Sequence, residues 1–431
     1  MANPGDKVKV TSKKEVVEGI LMPSFEKGVV LLKLPTGYNI GLEDKDITKM
    51  EVLEKAKEGK KPEKPLSKLK SLPTLAILHT GGTIASKVDY RTGGVVASFS
   101  PEELLQLFPE LRDIANLQSE LVAKMWSDDL RFKHFSLLAK KIEEQIKKGV
   151  AGIIVGIGTD NLAVASAALA FIVENSPIPI LLVGSQRSSD RGSADAAMNL
   201  ICAAEFAVKA DFSGVALCMH SSESDEECYI LPACKTYKLH SSRRDAFKAV
   251  NAEPLAKVNY RTREIKFLQK EHSHRGTSPT ESLIKPKMEE KVGLLKIHIN
   301  MFPEQFEFFK GYKGLIIEGT GLGHTPGQAP NPECEIHKKI YPALKNLIDS
   351  GCIVVMTTQC LFGGVNMNVY DKGRDLLNLG IISGKDMLAN TAFVKLSWLL
   401  ANYKPAEVKK LMEKNLRGEI NERLKYEENF L

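Results

Sequence analysis

Two threonines stand where apolar runs give way to glycine. Thr83 lies in ILHTGGTIAS at 77–86, and Thr159 closes the run AGIIVGIG with Asp160 directly after it. A hydroxyl beside a carboxylate at a strand end suits nucleophilic work or the holding of a substrate amine. Each also fits a helix start, where a side-chain oxygen accepts bonds from free helix amides. A threonine hydroxyl is a poor nucleophile until a base accepts its proton, and a lysine can do so when burial lowers its pKa. Lys238, in CKTYKLHSSRRDAFKAVN at 234–251, is the lysine selected for that part, although spacing alone does not single it out.

The glycines of TGGT invite a phosphate reading, and the sequence excludes it. A Walker loop needs GxxxxGK[ST], yet the GK pairs at Gly59 and Gly384 are followed by Lys and Asp. A dinucleotide fingerprint fails as well, because Gly81 and Gly82 lack the later spaced glycine and the acid about 20 residues on. Two further turns after apolar runs are rich in hydroxyls, GSQRSSDRGSAD at 184–195 and EGTGLGHT at 318–325. In open α/β sheets ligands bind beyond the carboxyl ends of the parallel strands, which is where all four turns are expected.

The elements that must position these turns are legible from periodicity. Within the first 50 residues, KVKVT, VVEGILM, GVVLLKL and GYNIGL read as short strands of a small barrel or open sandwich. Residues 54–72 are crowded with Lys, Glu and Pro and read as a solvated linker. From there apolar runs alternate with helical stretches: TLAILHT then PEELLQLF, GVAGIIVGIG then NLAVASAALAFIVE, PIPILLVGS then SADAAMNLICAAEFAVKA, then GVALCMH. That alternation predicts an α/β fold with a parallel sheet covered on both faces. A polar stretch at 271–290 precedes a second alternating block with strands near VGLLKIHI, KGLIIEG and CIVVMTT.

A chain of 431 residues with 43% apolar residues predicts two or three domains. Its longest uncharged apolar stretches, such as Leu162 to Val173, fall short of the roughly 20 residues a membrane-spanning helix needs. No signal pattern precedes the first strand, and seven cysteines without CxxC spacing argue for reduced thiols, so a cytoplasmic protein without a structural zinc site is expected. The formal charge of +6 permits an RNA-related partner without demanding one. His220, His240 and His324 lack ligand spacing and read as structural or tunnel-lining groups, and no metal is expected. Trp126 and Trp398 read as packing residues, and Arg243, Arg244 and Asp245 as ties for the Lys238 loop.

TGGTIA at 80–85, GTD at 158–160 and YKLHSSRRDAFKAVN at 237–251 resemble the signature blocks of L-asparaginases and related amidohydrolases. The resemblance implies that Thr83 is the nucleophile, that Thr159, Asp160 and Lys238 activate the attack or the water and hold the substrate amine, and that Ser127 and Asp128 grip the substrate's α-carboxylate and α-amino groups. Tyr90 would be a tyrosine of a mobile loop.

The amino-terminal stretch EGILMPSFEKGVVLLKLPTGYNIGL, with GSQRSSDRGSADAAMNL, GYKGLIIEGTGLGHTP and TTQCLFGGVNMNVYDKGRD, is similar to the D-subunit family of archaeal glutamyl-tRNA(Gln) amidotransferases. The implied fold is asparaginase-like: a small all-β, SH3-like barrel module at 1–53, a linker at 54–72, α/β domains at 73–275 and 291–431, and a linker at 276–290 between them. The implied assembly is a homodimer core binding two E subunits, a heterotetramer. The E subunit would bind Glu-tRNA(Gln), ATP and Mg, with no cofactor in this chain, and the second α/β domain would help complete the neighbouring subunit's site.

The family pattern is departed from in three places. Ile157 stands where histidine is common, with Asn161 and Leu162 following GTD; Asp128 is shorter than the expected Glu or Gln; and Gly364 replaces a basic residue. Two rival readings are a free-standing asparaginase or glutaminase and a non-catalytic scaffold subunit.

Overall fold

The computed structural model describes residues 2–22, 24, 28–34, 39–55, 71–81, 86–88, 95–97, 108–187, 194–276 and 284–424. Thr83, Tyr90 and the helical stretch expected from PEELLQLF before Phe108 lie outside them.

Period-two alternation builds the first sheet. In β1 (Lys7–Ser12), Val8 and Val10 are buried while Lys7 is exposed. With β2 (Val16–Met22), β3 (Val29–Lys33), β4 (Asn39–Glu43) and β5 (Ile47–Glu54) it forms an antiparallel sheet in the order β4-β3-β2-β1-β5. Val8, Val10, Leu32 and Leu42 make its small core, too few to supply much stability alone.

The second sheet holds the candidate chemistry. It contains β6 (Thr74–His79), β9 (Asn116–Leu121), β10 (Gly152–Gly156), β11 (Pro179–Val183) and β12 (Gly214–His220), all parallel. A short antiparallel pair, β7 (Ser86–Val88) and β8 (Val95–Ala97), lies between β6 and β9 in the chain. Three strands extend the sheet in antiparallel fashion: β13 (Glu227–Pro232), β16 (Ala256–Asn259) and β17 (Ile265–Phe267). Between β13 and β16 the chain makes a separate hairpin of β14 (Thr236–Lys238) and β15 (Phe247–Ala249).

The sheet order is β17-β16-β13-β12-β11-β10-β6-β9. The chain therefore leaves β6 for β9 on one side and then crosses to β10 on the other. Loops after these strands part company beside β6, and that reversal opens the crevice in which α/β sheets bind ligands.

Apolar runs in these strands feed both faces. Leu75 and Ile77 of β6 join a core with Leu200, Ile201 and Phe206 of α3 (Ala196–Lys209). Ala76 and Leu78 face the other way, onto Leu138 and Ile142 of α1 (Phe132–Lys147) and Leu169 and Phe171 of α2 (Leu162–Ile172). The expected parallel sheet covered on both faces is thus present. The antiparallel edge is an addition that strand-then-helix periodicity did not reveal, because its strands are short and follow one another without helices.

The third sheet is parallel, in the order β18-β19-β20-β21, from Val292–Lys296, Gly314–Gly319, Ile353–Thr358 and Ile382–Ser383. Its helices are α4 (Pro303–Glu307), α5 (Ile340–Asp349), α6 (Asp371–Leu379), α7 (Ala389–Asn402) and α8 (Pro405–Met412). One core runs through both α/β units, with Phe171 of α2 stacked on Trp398 of α7 at 5.8 Å between ring centroids. The indole N–H of Trp398 donates to the Lys285 carbonyl, and Ile284 is buried in the same core. Trp398 is the packing residue expected; Trp126 is not, with 57% of its surface exposed. No helix among the described residues is long and apolar enough to cross a membrane.

Candidate active site

Three of the turns singled out in the sequence meet beyond the carboxyl ends of β6, β9, β10 and β11. The β6 turn is held from both sides: the Thr80 amide donates to the Gly156 carbonyl at 3.1 Å, and the Met125 amide donates to the Thr80 carbonyl at 3.0 Å. Gly81 follows with φ +93°, a left-handed conformation that a side chain rarely adopts. Thr80 is 1% exposed, so the strand end enters the turn already buried.

After β10 the chain runs through Ile157 and Gly158 into a 3-10 turn, Thr159–Asn161, before α2 begins. Gly158 allows a close approach here. A Cβ on it would lie 2.9 Å from Ser127 Oγ. The Asn161 side-chain amide donates to the Ser127 carbonyl at 2.8 Å, so the β9 and β10 loops are pinned together with Ser127 buried between them. Gly184, after β11, performs the same service for Thr159, whose Cγ2 is 2.8 Å from where its Cβ would stand.

Lys238 closes the cluster from the β14–β15 hairpin. Its ammonium donates to Thr159 Oγ1 at 2.9 Å and to Asp160 Oδ1 at 2.8 Å. The Thr159 hydroxyl in turn donates to Gln186 Oε1 at 3.4 Å. The Lys238 side chain is 14% exposed whereas that of Asp160 is 71% exposed, so the pair has a shielded cation and an open carboxylate. Such a set can pass a proton along Thr159, while the exposed Asp160 carboxylate, bonded to Lys238 through one oxygen, can offer the other to a substrate ammonium. Asp128, next to Ser127, is exposed to solvent.

The surrounding charges brace the hairpin. Arg243 makes a two-pronged bond to Asp245 at 2.8 and 3.0 Å, which holds that carboxyl below its ordinary range. Arg244 pairs with Asp225 at 2.5 Å and donates to the Glu223 carbonyl, tying the outer turn to the loop after β12. These are the ties expected for the Lys238 loop.

Gln186 was not singled out in the sequence. Its signal was its place in the hydroxyl-rich turn after β11, the same position relative to its strand as Thr159. Asp195 organises that turn by accepting from the Ser185 hydroxyl and the amides of Gln186 and Arg187.

The fourth turn, EGTGLGHT, belongs to the other α/β unit. There Thr320, His324 and Thr325 line a cavity of about 670 Å³, with Lys296, His298 and Gln359, and none of its lining residues belongs to the Lys238 cluster. The three histidines also stand apart. His220 Nδ1 lies 2.6 Å from Asn199 Oδ1, His240 accepts amides of its own turn, and His324 meets the Tyr370 ring edge-on. Among the described residues no group of three or more His, Cys, Asp or Glu is arranged for a metal ion.

This architecture is shared with solved structures of L-asparaginases. The thermostable enzyme from Thermococcus kodakarensis superposes with a TM-score of 0.71 at 29% identity, over 81% of this chain and 99% of its own. L-asparaginase I from Vibrio cholerae gives 0.69 at 26%, over 81% and 100%. Residues 74–272 match the asparaginase N-terminal family and residues 291–412 the glutaminase/asparaginase C-terminal domain. Residues 2–53 match the GatD N-terminal domain. The D subunit of glutamyl-tRNA(Gln) amidotransferase from Methanococcus maripaludis is 41% identical over 98% of this chain and 99% of its own length, and that of Pyrococcus furiosus 43% identical over 96% and 94%. The chain belongs to the D-subunit family of glutamyl-tRNA(Gln) amidotransferases.

As a D-family member it is a subunit of an amidotransferase enzyme, and a partner subunit is implied. Three of the positions that depart from the family pattern have physical accounts. Ile157 is buried, its amide bonded to the Val183 carbonyl, so it acts as packing. Asn161 pins Ser127 as described. At Gly364 a Cβ would lie 2.9 Å from the Lys385 carbonyl and 3.0 Å from Asp386, which leaves no room for a longer side chain without a shift.

Proposed function

We propose that this D-family chain hydrolyses glutamine and supplies the ammonia to an E partner subunit, which binds tRNA and uses ATP and Mg to convert Glu-tRNA(Gln) to Gln-tRNA(Gln). The observation that carries the reading is the Lys238 ammonium bonded to both Thr159 and Asp160, at the reversal point of the sheet and beside the turn that precedes Thr83.

In this account the Thr83 hydroxyl adds to the glutamine δ-carboxamide carbon. Its proton passes through the Thr159 hydroxyl to Lys238, which takes this part as the free amine, and from there to the leaving nitrogen, so that ammonia departs and a γ-glutamyl ester remains. Water then attacks the ester, its proton returns to Thr83, and glutamate leaves. Backbone amides of the glycine-rich turns after β6 and β10 stabilise the charge that develops on the carbonyl oxygen. Ser127 and Asp128 take the substrate's α-groups, with Tyr90 as a further substrate-binding residue. The full assembly is a cytoplasmic heterotetramer of two D and two E subunits.

A free-standing asparaginase or glutaminase is the competing account, since the L-asparaginases cover 81% of the chain. Ammonia release from glutamine and from asparagine by the purified chain, alone and with the E subunit and Glu-tRNA(Gln), separates them. Stimulation of glutamine hydrolysis by partner and tRNA is expected; full activity of the isolated chain, unchanged by either, contradicts the proposal.

A further inference from the structure

The hairpin that carries Lys238 has its base in the other α/β unit. Lys235 directly precedes β14, is 1% exposed, and donates to Asp386 Oδ2 at 2.5 Å and to the Asp386 carbonyl at 3.1 Å. On the returning side, the Val250 amide donates to the Lys235 carbonyl, and Asn251 follows with φ +53°. Asn251 exchanges two bonds with Gly363: its amide donates to the Gly363 carbonyl at 2.7 Å, and the Gly363 amide donates to its side-chain oxygen at 2.9 Å.

One residue joins the two halves. Asn421 donates its side-chain amide to Asp386 Oδ2 and to the Asn251 carbonyl, both at 2.7 Å, while its backbone amide donates to Asp386 Oδ1 at 3.0 Å. Gly363 follows β20, Asp386 follows β21 and Asn421 follows α8, so each of these partners of the hairpin's base belongs to the C-terminal unit. Lys238 is three strand residues from Lys235, roughly 10 Å along an extended chain. Over so short a lever, a shift of the base moves the ammonium by a comparable amount.

We propose that Asn251, Asp386 and Asn421 form a clamp through which the C-terminal unit sets the position of Lys238, and that they are positioning residues for the amide hydrolysis of the preceding subsection. The inference rests on that reading. The clamp is polar where an apolar contact would serve packing as well, and its bonds are directional, which is what fixing a lysine to within a fraction of an ångström requires.

The test is steady-state glutamine hydrolysis by the full chain with its E partner, for Asn251→Gly and Asp386→Asn. Glycine keeps the left-handed backbone at 251 while removing the side chain that bonds Gly363; Asp386→Asn is the second variant, and thermal melting checks that both fold. Expected is a fall in kcat of about tenfold or more with KM changed by less than about twofold, the pattern of a misplaced group that acts after binding. The same substitutions placed in Lys238→Met should then cost little further, because the group they position is gone. Folded clamp variants with parental kcat, or an equal fall that persists in Lys238→Met, overturn the clamp alone. Parental hydrolysis by Lys238→Met or Thr83→Ala overturns the reading it rests on, and the clamp with it.

Discussion

At the scale of residues, the candidate chemistry rests on one shielded cation meeting one hydroxyl and one open carboxylate. Lys238, Thr159 and Asp160 are all named from the sequence, but by different routes. Thr159 and Asp160 follow an apolar run and a glycine, a position that points to a strand end. Nothing near Lys238 says where it folds, and only the resemblance of its surrounding block selects it. Gln186, which receives the Thr159 hydroxyl, is hidden among equally polar neighbours. Two buried imidazoles add a pH dependence. Burial pushes both His79 and His220 below their ordinary range. The unfolded chain therefore binds their protons first, near the ordinary value of about 6.5. Their neutral forms contribute stability above that pH, and the contribution is lost as pH falls below it toward the depressed folded values. The melting temperature should fall between about pH 6.5 and pH 5, with His79→Leu reducing the slope. A flat profile over that window contradicts it.

At the scale of elements, the central strands are legible because each is an apolar run followed by a helical period. Leu75 to Leu78 show why: alternate residues serve two different cores, so no polar position interrupts the run. The β14–β15 hairpin is not legible, since three-residue strands carry no period and its footing comes from Gly363, Asp386 and Asn421, more than 100 residues away in the chain. The same holds for the pair Lys395 and Glu419, both wholly buried at 2.6 Å. Lys395 of α7 also donates to the carbonyls of Met412 and Lys414, and Glu419 accepts the amides of Leu416 and Arg417. The network fastens the segment leading to Asn421 to α7. Removing one charge of a buried pair strands the other, which costs about 3–5 kcal/mol. Lys395→Met should lower the denaturant midpoint accordingly; a midpoint unchanged from the parent shows that the pair is not structural.

For the whole molecule, D-subunit relatives match nearly the full length of the chain, while its parts also match separate families. The two α/β units match the asparaginase N- and C-terminal families, and the amino-terminal sheet matches the GatD N-terminal domain. The departures at Ile157, Asn161 and Gly364 leave the Lys238 cluster intact, being absorbed by packing, by the Ser127 pin and by the crowding around Asp386. We propose that this chain makes ammonia with Thr83 for use by its partner. The most direct measurement is Gln-tRNA(Gln) formation by the D–E complex carrying Thr83→Ala, with glutamine or with ammonium chloride as the nitrogen source. Expected is the loss of the glutamine-dependent reaction, with the ammonium-dependent one persisting at the parental rate. Undiminished glutamine-dependent formation by the Thr83→Ala complex would contradict it.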